Sequence, residues 1–220
     1  MKNTTILLDL PFAPSIPWCY LYLAHERIWL EKQEHFVKST FRNRCEIAGP
    51  QGVLTLSIPV EGGKDHRRLY RETLMVQDSR WRKVHFQSLA SCYRRTPYFE
   101  YFESDIQQLY NHPVNHLFDW NVVWLDWILA KMGITPRHTF TSVYEANPSR
   151  AFDARLAVRP GRRDEDFFKD YVSPVYLQAF SSRVGFLPNL SVLDFLFHEG
   201  PRAHSLIEQW NYQSAPGADD

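Results

Sequence analysis

The sequence predicts an α/β fold, a single domain with a mixed β-sheet flanked by helices. Two observations carry this expectation. The chain opens on an apolar run, a helix start and a second apolar run within about 30 residues, the length of a parallel strand–helix–strand unit. Residues 53–60 then alternate, with Leu54, Leu56, Ile58 and Val60 on one face and Thr55 and Ser57 on the other, as a half-buried strand requires. Hydrophobic residues make up 44% of the 220, enough for a real core and too many for a disordered chain.

Each element has a local reason. Residues 6–10 form an apolar run that stops at Pro11, as a buried strand would. Pro17 suits the first turn of a helix over 18–24, and residues 27–30 read as the next strand. Cys45 and Ile47 share one face of a strand, Arg44 and Glu46 the other. Residues 69–76 are expected to return as the antiparallel partner of 53–60, with 61–68 as the charged connection. Pro59 lacks an amide hydrogen and belongs at an edge or bulge. Ser79 is a suitable cap for a helix over 79–95, and Thr96-Pro97 restarts the chain into a helix over 98–110. A third helix over 116–132 is apolar nearly all round, which predicts burial, and Gly133 can take the left-handed turn that ends it.

Composition changes at 147–170, where Arg150, Arg155, Arg159, Arg162 and Arg163 precede Asp164, Glu165 and Asp166. Such a segment is a solvated loop, or one that orders over a substrate. Residues 175–180 are expected to form a strand. Ser191, with Asp194 three residues on, resembles a capping box with a shorter acid. Gly200-Pro201 ends that helix and starts the last, expected to finish near Trp210. The domain is expected over residues 1–212, with 213–220 as a frayed tail.

The chain balances 25 basic against 25 acidic residues, so nothing draws it to nucleic acid. Asp9, Pro11 and Pro14 interrupt any signal-peptide pattern, and no apolar run reaches the ~18 residues that span a bilayer. Cys19, Cys45 and Cys92 are odd in number and widely spaced, which suits a reducing, cytoplasmic setting rather than a disulfide framework. No metal is expected, because His25-Glu26 and Glu34-His35 lack the second histidine of a metalloprotease helix. Nor is a cofactor: Glu61-Gly62-Gly63-Lys64 lacks the spacing of a phosphate loop.

Cys45 and His85 are the candidate catalytic pair. His85 lies on the stripe Trp81, Val84, His85, Ser88, Leu89 and Cys92, the inward face of its helix. Cys92 is seven residues further on, about 10.5 Å along the helix axis and out of hydrogen-bond reach. Cys45 comes from another element and has no such limit. Arg42 and Arg44 could supply the charge that lowers a thiol pKa. Both residues equally suit a bland role, the cysteine as inert packing and the histidine as a satisfied core residue.

The run from Phe36 to Ile47, with Asn43-Arg44-Cys45, resembles the signature of the WbqC-like proteins. So do residues 54–60, the set Trp81, His85 and Tyr93, the run Pro97-Tyr98-Phe99-Glu100, and the closing stretch with Tyr176, Gln178, Phe180, Asn189, Ser191 and Asp194. That bacterial family is often associated with O-antigen and other surface-glycan gene clusters. The resemblance implies transfer of an acyl or aminoacyl group, such as glycyl, from an activated or carrier-bound donor to an amino-sugar acceptor. Cys45 would carry the acyl group and His85 would take the thiol proton. Asn43, Arg44, Tyr98, Gln178 and Asn189 sit in the same motifs, where they would bind sugar or orient the histidine, or serve as caps and anchors. The alternative is a non-catalytic module of a glycan-assembly pathway that binds sugar or a partner through Tyr98, Phe99, Tyr101 and the arginine-rich segment.

Overall fold

A computed structural model describes residues 2–62, 68–160, 162–163 and 175–207. Residues 63–67 of the charged connection, Asp164, Glu165 and Asp166, Trp210 and the expected tail lie outside the described residues.

Strand β1 (Lys2–Leu8) leads through helix α1 (Ile16–Ala24) to β2 (His25–Leu30), and the two strands pair in parallel with Ile6 opposite Ile28 and Leu8 opposite Leu30. The expected strand–helix–strand unit is therefore present. Ile6, Leu7 and Leu8 are all buried, as suits a strand covered on both faces. Pro17 occupies the first turn of α1. Two short strands complete the sheet, β5 (His138–Phe140) and β6 (Phe152–Asp153), in the order β5-β2-β1-β6, every pair parallel.

The antiparallel component is a separate ribbon. Strand β3 (Arg44–Gly49) pairs with β4 (Gly52–Ser57), Cys45 opposite Leu56 and Ile47 opposite Leu54, around the tight turn at Pro50-Gln51. This corrects the expectation that 69–76 partners the alternating strand. A local hairpin closes at a smaller entropic cost than a distant return, and Gly52 supplies the positive φ of 117° that the turn needs. Residues 69–76 return antiparallel only at the end of the run, where Val60 bridges Met75, Val76 N donates to Pro59 O at 2.9 Å and Glu61 N to Leu74 O at 2.9 Å. The α/β class, with parallel and antiparallel strands and flanking helices, holds.

Three helices cover this framework: α2 (Arg80–Tyr93), α3 (Phe99–Tyr110) and α4 (Leu117–Lys131). The sequence placed all three to within two residues. Ser79 holds the N-cap position of α2 but its side chain makes no capping bond; Asp78 Oδ1 instead accepts from Arg80 N at 2.9 Å. Helix α4 is the core helix expected, with Trp120, Trp124 and Ile128 wholly buried and Gly133 at φ 69° after its end.

Within the arginine-rich segment, β7 (Val158–Arg159) and β8 (Arg162–Arg163) pair as a small antiparallel ribbon. The expected strand over 175–180 is not formed. Among the described residues 175–178 form no regular element, Val175 and Leu177 being 82% and 72% exposed, and 179–180 turn into α5 (Ser181–Val184). Helix α6 (Val192–Glu199) does begin at Ser191, whose Oγ accepts from Leu193 N at 3.2 Å. The box is not completed, because the Asp194 carboxylate turns instead to the hydroxyls of Tyr93 and Tyr176.

Gly200 ends α6 at φ 57°, and a Cβ there would lie 2.6 Å from ring atoms of Tyr98. Gly200→Ala is therefore expected to lower unfolding free energy by about 2 kcal/mol, seen as a reduced urea midpoint with an unchanged slope.

Candidate functional site

The two residues singled out by sequence occupy neighbouring elements of the core. Cys45 on β3 is 1% exposed; burial pushes its thiol far above the usual range and Glu46 adds to the rise. His85 on α2 is packed against Phe12, Trp81 and Tyr110, with ring centroids 6.1, 5.2 and 5.9 Å away. Its Nε2 donates to Ser57 O at 3.1 Å, which leaves the lone pair on Nδ1. Burial lowers its pKa to about 4, against a small rise from that hydrogen bond. Ser57 pairs with Arg44 across the hairpin, so the ring is drawn to the end of the ribbon that carries Cys45. No hydrogen bond joins Cys45 to His85 among the described residues. Both groups are neutral near pH 7, whereas a nucleophilic pair needs a thiolate.

The other expected site residues are spread over several elements. Asn43 Nδ2 donates to Ile58 O at 3.0 Å while Ile58 N donates to Asn43 O at 2.8 Å, locking the start of the hairpin to the residue after its end. Arg44 lies half-buried beside Glu46, where it opposes the rise that burial gives that carboxyl. Tyr98 precedes α3, donates its amide to Phe197 O at 3.0 Å and lays its ring over Gly200. Gln178 clamps Leu187 from both ends, Nε2 donating to its carbonyl and Oε1 accepting from its amide, each at 2.8 Å. Its side chain thus does what a strand partner would have done. Asn189 takes a left-handed φ of 66° before α6. Of the aromatic trio, Phe99 is buried, Tyr98 half-buried and Tyr101 73% exposed.

A second constellation lies at the carboxyl ends of the parallel strands. The chain leaves β1 toward β2 and β5 and comes back to β1's other flank as β6, which makes this end a topological switch point, the usual ligand position in open α/β sheets. Asp9 follows β1, Glu31 follows β2, Thr141 follows β5, and Asp153 and Arg155 close β6. Arg42, wholly buried, donates from Nη2 and Nε to Glu34 Oε1 at 2.5 and 3.1 Å and from Nη1 to Thr40 at 3.2 Å; its Nη2 lies 3.8 Å from Asp9 Oδ2. Glu31 accepts from Gln33 N at 2.6 Å and Thr141 Oγ1 at 2.7 Å, and lies 3.4 Å from Arg155. Arg155 also holds Asp153 and donates to Ala146 O at 3.2 Å, which ties the segment after β5 to the end of β6.

The electrostatics distinguish Asp9. Burial raises its carboxyl to about 7, opposed by Arg42 and reinforced by Glu34. Glu34 is raised by burial too, against the pull of Arg42. Burial disfavours the Arg42 charge, but Asp9 and Glu34 outweigh it and hold that pKa above its ordinary value. A carboxyl that ionises near neutrality can accept a proton from a substrate. Each member was visible in sequence, but Asp9 stood out only as a break in an apolar run and Arg42 only as a charge near Cys45. The legible signal is an acid straight after each apolar strand, Asp9 after residues 6–8 and Glu31 after 27–30.

The model of the WbqC-like protein family matches residues 11–158, more than half of the 220. The chain belongs to this family. No curated protein and no solved structure matches it. The matched stretch of this WbqC-like chain includes Cys45 and His85 and also Glu31, Glu34, Arg42, Asp153 and Arg155, while Asp9, Gln178 and Asn189 fall outside it. Among the described residues no helix is long and apolar enough to cross a membrane, and no group of His, Cys, Asp and Glu side chains could hold a metal ion.

Asp9 makes stability depend on pH. Its folded pKa of about 7 lies above the ordinary 3.8, so its favourable contribution is full below pH 3.8 and is lost as pH rises through 7. Asp9→Asn removes that loss. Relative to the parent, the variant is expected to gain on the order of 3 kcal/mol between about pH 4 and pH 8, measured by urea unfolding across that range.

Proposed function

We propose that this WbqC-like protein transfers an acyl or aminoacyl group, such as glycyl, to the amino group of a sugar in bacterial surface-glycan synthesis. The reaction takes place at the carboxyl end of the parallel sheet and does not pass through a thioester on Cys45. The observation that carries this reading is Asp9, a buried carboxyl at the end of β1 that ionises near neutrality beside Arg42. The family and its association with O-antigen clusters support the pathway, and the sheet end supports the location.

The chemistry is a direct aminolysis. The amine nitrogen of the sugar attacks the carbonyl carbon of an activated or carrier-bound donor, forming the new C–N bond. The tetrahedral adduct collapses, and the donor's carrier leaves with the electron pair of the broken bond. Asp9 takes the proton that the nitrogen loses.

A covalent route has a different signature. It requires the Cys45 thiol to ionise inside the core, against the burial that raises its pKa. On the direct route Cys45→Ala keeps transfer within about threefold of the parent, and Asp9→Asn lowers kcat by about a hundredfold or more. Intact mass after incubation with acyl donors then shows no adduct. An acyl adduct on Cys45 together with loss of transfer in Cys45→Ala would overturn the reading. Sugar binding without any transfer would favour the non-catalytic module.

A further inference from the structure

At the end of β6 one buried arginine holds two side chains that reach solvent. The Arg155 guanidinium lies over the Tyr144 ring, 5.0 Å from its centroid. From its edge, Nη2 donates to Asp153 Oδ2 at 2.6 Å and Nε to Asp153 Oδ1 at 2.9 Å. Its Nη1 lies 3.4 Å from Glu31 Oε2, which ties the group to the carboxyl end of the parallel sheet. Tyr144 is 49% exposed although Arg155 lies over its ring, and the Asp153 side chain is 37% exposed. Asp153 Oδ2 accepts only from Arg155 among the described residues, so it keeps a lone pair for a further donor. Burial works against the Asp153 charge, but the hydrogen bonds from Arg155 outweigh it and hold the carboxyl below its ordinary value.

We propose that Tyr144 and Asp153 form the acceptor subsite, the ring stacking on one face of a pyranose and the carboxylate accepting from its hydroxyl or ammonium hydrogens. The inference rests on the acyl-transfer reading for the place of the reaction and adds the residues that hold the sugar. A pyranose offers a face of C–H bonds polarised by oxygen and a rim of hydrogen-bond donors. The negative face of an aromatic ring suits the first, and an ionised carboxylate suits the second. Both side chains rest on the same guanidinium, so a buried group sets their spacing. Such preorganisation reduces the ordering that binding requires. The position agrees as well, since ligands of open α/β sheets lie outside the carboxyl ends of the strands.

Binding, measured without turnover, tests this. The probe is the methyl glycoside of 2-amino-2-deoxyglucose, titrated into the full chain to about 50 mM and followed by NMR, with millimolar affinity expected. Tyr144→Ala is expected to weaken binding about tenfold, while Tyr144→Phe, which keeps the ring, stays within about twofold of the parent. Asp153→Asn is expected to weaken it about fivefold. Should Asp153→Asn fail to fold, the two Tyr144 variants carry the test. The proposal is overturned if the parent does not bind, if Tyr144→Ala or Asp153→Asn binds as tightly as the parent, or if Tyr144→Phe is as weak as Tyr144→Ala. Transfer whose acceptor KM is unchanged in Tyr144→Ala would overturn this inference and leave the acyl-transfer reading standing. Binding that depends on Tyr144 in a chain that transfers nothing would overturn that reading and leave the subsite.

Discussion

A guanidinium with no access to water sets the terms for the rest of the structure. Arg42 is wholly buried, and such a charge survives only if carboxylates and hydrogen-bond acceptors replace its hydration. Glu34 supplies the close pairing, Thr40 a hydroxyl, and Asp9 a second negative charge at longer range. These partners come from the end of β1 and from the loop between β2 and β3, so satisfying the one cation pins that loop to the sheet. The backbone of Arg42 is used as well, its carbonyl accepting from Asn121 on α4. Loop, strand end and core helix are thus fixed at one point.

The same arrangement sets the Asp9 carboxyl apart. Two carboxylates share one guanidinium, and the nearer takes most of its hydrogen bonds. Asp9 keeps the cost of burial with only part of the compensation, and its pKa settles near neutrality. A carboxyl packed in this way is a poor stabiliser and a suitable base. The Cys45 region follows the opposite logic. It has apolar neighbours, aromatic rings and a histidine whose proton is committed to a backbone carbonyl, all of which favour neutral groups. That region holds the hairpin against α2.

Much of the fold was legible because it is local. The β1–α1–β2 unit, the three helices and the ends at Gly133 and Gly200 follow from apolar period, proline and glycine within a few residues. The strand over 175–180 failed because alternation alone does not supply a neighbour, and the Gln178 side chain took the place of a ladder. The expected pairing of 53–60 with 69–76 survives only at Val60 and Met75, because the tight turn at Pro50-Gln51 gives most of that strand a nearer partner. The site was less legible. Cys45 and His85 were correctly placed facing inward, but which acceptor would hold His85 could not be read from spacing, and the answer is Ser57 O. The charged cluster depends on Ile6 lying opposite Phe152, a register that no nearby pattern encodes. Its acids were visible one at a time and formed a cluster only once the sheet order brought three strand ends together.

The central claim is that Arg42 and its carboxylates act as one coupled unit, and a double-mutant cycle tests it most directly. Unfolding free energies of the parent, Arg42→Met, Glu34→Gln and the double variant would be measured by urea at pH 7. The account predicts that each single change is destabilising, Arg42→Met by about 3 kcal/mol or more. The double variant should recover about 2 kcal/mol relative to the sum of the two. Additive effects, or a near-neutral Arg42→Met, would contradict it, since the guanidinium would then not be the constraint on which the carboxyl end of the sheet depends.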